Sequence, residues 1–204
     1  MNKTFLKTAS LMTAVAVMFT FSACEQADVA PDASLSAQNS QEARSGKSLN
    51  LTKTYTAEIS SLNNSGVTGT ATLILDGDQL TVHIMASGLE PGMVHPQHIH
   101  GFPDKNKNAT CPPMWADKDG DGLVELGEGL PFYGPVMLPL EPFPTAPDGT
   151  INYTRTFDIS DNLSLLPLQN DVIVLHGMTV DGEYIATLPV ACGMVMNGNS
   201  MKNK

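Results

Sequence analysis

Three of the chain's five histidines fall within six residues, in the run HPQHIH at positions 95–100. Imidazole suits copper or zinc, and two imidazoles two residues apart on a strand project from one face. His98 and His100 would then be two arms of a metal site, with Ile99 turned into the opposite layer. His176, which ends the apolar run VIVLH, is the candidate third arm. His83 is a further candidate ligand: with GLEPG as a connecting turn it would fall roughly opposite His100 across an antiparallel pair. His95 is either an extra ligand or a loop residue. Met93, Met178 and Met194 lie close by in sequence, but filling irregular core space is the commoner use of methionine. Only neutral imidazole binds a metal, so affinity should fall as pH drops below the ordinary histidine pKa of about 6.5.

A second cluster is made of carboxylates. In DKDGDGLVELGE, Asp117, Asp119, Asp121, Glu125 and Glu128 occupy positions 1, 3, 5, 9 and 12 of a twelve-residue loop, with Gly122 at position 6. This is the calcium-loop pattern, in which hard oxygens surround a hard cation and glycine makes the sharp turn. The Leu123 carbonyl would supply the position-7 ligand. The flanks CPPMWA and GEGLPFYGP do not read as long helices, so the expectation is one isolated calcium loop. Its carboxylates repel one another without a cation, and its task would be to order the chain next to the histidines.

The elements that must position these groups read as strands. YTAEIS, TGTATLIL, QLTVHIMASG, INYTRTFDI, DVIVLHGM and EYIATLPVACGMV are β-branched or alternating, and turn signals such as NNSG, DGD, PDGT and VDG bound them. No stretch shows a helical period. The fold class expected is all-β: a Greek-key β-barrel or sandwich of about eight antiparallel strands, over residues 51–196. A long Pro/Gly-rich excursion, 102–147, carries the calcium loop. Excursions of that length are usually functional or stabilised by something.

Outside the domain the chain reads differently. Lys3 and Lys7 precede the apolar run LMTAVAVMFTF, which has signal-peptide length and is too short to span a bilayer. It ends in FSAC, which resembles a bacterial lipobox with Phe21 where leucine is usual. Residues 1–23 are expected to be removed and Cys24 lipidated, with 24–50 a flexible tether and 197–204 a disordered tail. The expected location is the bacterial cell envelope, lipid-anchored, periplasmic or surface-exposed. The formal charge of -10 argues against nucleic acid as a partner; the membrane and metal ions are the partners implied. With Cys24 taken by lipid, Cys111 and Cys192 remain as a pair, and a disulfide is the default in an oxidising compartment.

The segment GLEPGMVHPQHIHGF resembles the G-L-x-x-G…H-x-H segment of the copper/zinc superoxide dismutase family. Cys111 in the next loop, His176 at the end of a hydrophobic strand, and Ala191-Cys192-Gly193 follow in the family's order. The chordin-type (CHRD) domain is similar too, through its HIHG. The resemblance spans roughly residues 52–196 and implies an eight-stranded Greek-key barrel. It also implies copper on His98, His100 and His176, and a Cys111–Cys192 bond. Two departures stand beside it. The region CPPMWADKDGDGLVELGEG contains no histidine, so the bridging ligand and the zinc site are absent. Pro189 stands three residues before the second cysteine, where the family has an arginine. The expectation is a copper-binding domain with a calcium loop. The rivals are a copper-only superoxide dismutase and a metal-free CHRD-type interaction or adhesion module.

Overall fold

A computed structural model of the chain describes residues 52–198. The expected signal segment, the expected lipidation site Cys24 and the expected tether lie outside the described residues. Among the described residues nine strands form: β1 (Lys53–Ser61), β2 (Thr68–Asp76), β3 (Gln79–Ser87), β4 (Gln97–His100), β5 (Val136–Pro139), β6 (Thr150–Asp158), β7 (Val172–Val180), β8 (Glu183–Met194) and β9 (Met196–Asn197). Eight of them make one antiparallel sheet in the order β5-β4-β7-β8-β1-β2-β3-β6, curled into a half-barrel, with β9 paired to β1. The expected all-β architecture is therefore the observed one. The tail was expected to start at 197, but Asn197 pairs with Tyr55 and the Gly198 N–H donates to the Thr54 carbonyl.

Alternation explains the first three strands. Tyr55, Ala57 and Ile59 of β1, Ala71 and Leu73 of β2, and Leu80, Val82 and Ile84 of β3 point inward, and polar residues separate them. The VDG turn closes the β7–β8 hairpin with positive φ at both Asp181 and Gly182, as a type I′ turn requires.

Strand β7 does not alternate: Val172 to Gly177 are all buried. Ile173 and Leu175 face the main core, while Val172 and Val174 join Leu62, Ala109, Tyr133 and Cys192 in a second apolar cluster on the other side. The excursion supplies that second cover. The disulfide Cys111–Cys192, with Cα atoms 5.7 Å apart, fastens it to β8, and such a bond belongs to an oxidising compartment. No helix among the described residues is long and apolar enough to cross a membrane.

One helix forms where none was expected: α1, Leu126–Tyr133. Its sequence LGEGLPFY has two glycines and a proline, which depress helix propensity, so its stability comes from its ends and its packing. Glu125 and Glu128 exchange hydrogen bonds with each other's backbone as a capping box. Gly129 is required there, because a Cβ would lie 2.3 Å from the buried Tyr133 ring.

Candidate metal centre

The register of β4 against β7 pairs His98 with Val174 and His100 with Val172. Ile99 falls into the main core, so the two histidines share the other face, under the excursion. His176 follows Val174 on that same face of β7. One ring nitrogen from each of His98, His100 and His176 lies within 4.8 Å of the others.

The backbone selects which nitrogens those are. His100 Nδ1 donates to the Gly134 carbonyl at 2.9 Å, and His176 Nδ1 donates to the Thr187 carbonyl at 2.9 Å. A carbonyl only accepts, so in each neutral ring the lone pair sits on Nε2. Both Nε2 atoms are buried without a hydrogen-bond partner, and so is His98 Nδ1. Buried polar atoms are rarely left unpaired. Three clustered rings with unpartnered buried nitrogens, two of them with the lone pair oriented by a second hydrogen bond, fit a metal ion.

The excursion holds this arrangement in place. The Tyr133 ring packs 4.7 Å from that of His100, and its hydroxyl donates to the Leu126 carbonyl. Gly134 ends α1 with φ 76° and runs so close to Gly101 that a Cβ would lie 2.3 Å from the Gly101 carbonyl oxygen. Only glycine can place its carbonyl under His100 there.

Burial decides the protonation of the site. His98 is lowered to about 4 by desolvation and then by His100. His176 is lowered to about 3, again mainly by desolvation, with the Thr187 carbonyl opposing and the other two histidines adding. His100 is lowered by desolvation against the opposing Gly134 hydrogen bond. The expected loss of neutral imidazole near pH 6.5 is therefore moved to lower pH, because these rings are not in water.

A cavity of about 310 Å³ opens over the three rings. Its other walls are Pro96, Leu126, Val136, Phe143, Ala186 and Thr187, none of them charged. Met93, Met178 and Met194 do not line it.

The two further histidine candidates are elsewhere. Strand β3 pairs with β2 and β6, not with β4, so GLEPG carries the chain across the fold instead of closing a hairpin. His83 consequently lies opposite Thr72 and Thr154, and its Nε2 bonds Asn152 Oδ1 at 3.0 Å. His95 is fully buried, but its Nδ1 faces the His176 carbonyl at 2.9 Å and its Nε2 the Glu90 carbonyl at 3.1 Å. Both nitrogens are turned to backbone carbonyls, and His95 is not part of the cluster; it supports β7.

The acidic loop gathers into two overlapping groups, Asp117, Asp119 and Glu128, and Asp119, Asp121 and Glu125. Asp117 accepts the Gly120 and Gly122 N–H groups, Asp119 that of Asp121, Asp121 that of Leu123, and Glu128 those of Lys118 and Glu125. Desolvation and then the charges of Asp121, Asp119, Glu128 and Asp117 hold the exposed Glu125 above the usual carboxylate range. Glu128 is at once loop position 12 and the capping residue of α1, whose far end carries Gly134.

Asn63 was read only as part of the NNSG turn. In the fold its amide brackets Val124 of the acidic loop, accepting from the Val124 N–H at 2.7 Å and donating to the Val124 carbonyl at 3.0 Å. It also donates to the Pro189 carbonyl of β8 at 2.9 Å. Asn63 and Gly134 are site-supporting residues that no sequence spacing announced.

No family model matches the sequence, and no curated protein matches it. Among solved structures the chain is similar to a SOD-like protein from Bacillus subtilis. The identity is 14%, over 69% of this chain and 97% of that one, with a TM-score of 0.43. It is similar too to a point mutant of that protein, with 16% identity over 68% and 95% of the two chains and a TM-score of 0.41.

Proposed function

We propose that this chain is an exported, lipid-anchored copper-binding domain whose excursion is ordered by calcium. The observation that carries the reading is the clustering of His98, His100 and His176, each of which buries a ring nitrogen without a hydrogen-bond partner. Imidazole sites favour copper over the other divalent first-row metals. Cys24 would carry the anchor and residues 24–50 the tether, with the folded domain as the metal-binding part. The calcium assignment is supported by the loop spacing and by the crowding of five carboxylates. A cation there would relieve the repulsion felt by Glu125.

Binding ranks above superoxide dismutation because of what faces the cavity. Superoxide is an anion, and no cation lines the walls. Pro189, at the position of the resembled family's arginine, is buried in β8 opposite His176.

The test is metal analysis of the domain after copper loading, for the native chain and for the His100→Ala, His176→Ala double variant. One copper in the native protein and none in a folded double variant is the expected result. Equal copper in both would overturn the assignment. A superoxide assay on the same sample separates binder from enzyme, since consumption near the diffusional ceiling would place the enzyme first. Cys24→Ala should release the protein from the membrane fraction.

A further inference from the structure

The one ion pair among the described residues joins Lys105, near the start of the excursion, to Asp171, the residue before β7. Lys105 Nζ stands 2.5 Å from Asp171 Oδ1, and the two side chains are only 13% and 0% exposed. The other carboxylate oxygen, Asp171 Oδ2, is buried with no hydrogen-bond partner. The Lys105 ammonium is the only charge acting on Asp171 among the described residues.

Both groups are held in place. Asp171 donates its N–H to the Leu168 carbonyl, and its own carbonyl accepts from the Val195 N–H. Its carboxylate rests on Gly101, where a Cβ would lie 2.0 Å from Oδ1. Lys105 has φ 52°, and its N–H donates to the Phe102 carbonyl, closing a turn. Lys107 fixes that turn by donating to the Pro131 carbonyl of α1 and lying over the Phe102 ring.

In apolar surroundings the cost of desolvating two charges can exceed their attraction. An unpaired carboxylate oxygen adds to that cost. Burial accordingly raises the Asp171 carboxyl to about 6 despite the ammonium beside it. Passing one proton from Nζ to the carboxylate, across their direct contact, removes both charges. It leaves an amine lone pair against a carboxylic acid, which are the reactants of an amide. Fixed proximity supplies the encounter that such a condensation lacks in water, and burial excludes the water that would reverse it.

We propose that Lys105 and Asp171 condense to an intramolecular amide that ties the excursion to the start of β7. The Nζ–Cγ bond forms and one Cγ–O bond of the carboxyl breaks. That oxygen leaves as water, carrying one hydrogen from the amine and one from the acid. Nothing is oxidised or reduced, and no co-reactant is needed. The 13% of Lys105 that reaches solvent gives the water its way out. The excursion is then fastened by two covalent bonds, Cys111–Cys192 and this amide, and only the first yields to reductant. The bond does not depend on any metal at the histidines. While the pair is open, Asp171 titrates as a buried acid; in the amide neither group titrates.

The experiment is mass spectrometry of the native chain, denatured, reduced and digested with trypsin. One branched peptide containing Lys105 and Asp171 is expected, with the mass of the two linear peptides less one water. Water loss by itself is not diagnostic, because an aspartate before glycine, such as Asp148 before Gly149, also loses water by cyclising onto the backbone. The branched peptide and a variant make the distinction. Lys105→Arg keeps the cation, but a guanidinium does not give up its proton to become a nucleophile. That variant should yield two separate linear peptides and regain the missing water. Should it not fold, the peptides of the native chain decide alone. Two linear peptides of full mass from the native chain would leave an ion pair only and overturn the proposal. Equal water loss from the native chain and Lys105→Arg, with no branched peptide, would overturn it as well.

Discussion

Lowering the pH from 7.5 to 5.5 separates a buried histidine site from an exposed one. A ring with the ordinary pKa of about 6.5 is roughly ten parts protonated to one neutral at pH 5.5, and it must lose that proton to bind. Two such rings would cost about a hundredfold in metal affinity, or ~2.7 kcal/mol. Here burial lowers His98 to about 4 and His176 to about 3. Both stay neutral at pH 5.5, so metal affinity should be nearly flat across this interval and decline only toward pH 4. Folding stability carries the complementary sign. The unfolded rings take up protons below pH 6.5 and the folded ones do not, so stability is lost as pH falls from 6.5 toward the folded values. The slope is up to about 1.4 kcal/mol per pH unit for each fully buried ring, and less for the half-buried His98. Where the Lys105–Asp171 pair is open, Asp171 opposes this. Burial raises its carboxyl to about 6 despite the Lys105 ammonium beside it, so the folded state gains that proton first and part of the slope cancels. The assay is proton NMR of the imidazole resonances in the metal-free protein, with copper competition at pH 7.5 and 5.5. Midpoints near 6.5 in the folded protein, or a hundredfold fall in affinity, would refute the burial argument.

Asn63→Ala should cost roughly 2–4 kcal/mol in a denaturant melt, because it strips partners from both backbone groups of Val124 and from the Pro189 carbonyl. Unchanged stability would mean that water replaces the amide. Cys192→Ser opens a covalent loop with a sequence separation of 81, for which chain entropy gives an upper guide of roughly 4–5 kcal/mol. The melt should fall within that bound, and two free thiols in the native protein by mass spectrometry would contradict the bond. Saturating calcium should raise the melting temperature and protect the excursion from protease, and Glu128→Gln should remove most of that gain. No calcium effect on the native protein would end the calcium reading.

Strand alternation is a local property of the backbone, and it was legible without coordinates. The inward faces of β1, β2 and β3, the shared face of His98 and His100, and the type I′ turn at Asp181-Gly182 all follow from residues adjacent in sequence. The cysteine pair and the carboxylate spacing were equally local matters of count and position. Helix α1 was not legible, because its glycines and proline argue against it and only its capping box and the buried Tyr133 hold it.

Which strands become neighbours is not local, and it decided the site. β3 gives its free edge to β6, which takes His83 away from the cluster that a β3–β4 hairpin would have made. The fold brings β4 beside β7 and so delivers His176 to His98 and His100. The chain's order alone marks the rings as candidate metal ligands. The carbonyls of Gly134 and Thr187 choose the nitrogen that faces it, and burial keeps the rings neutral. Those last two come from backbone and apolar surface far away in sequence, because hydrogen bonding and desolvation depend on what is near in space.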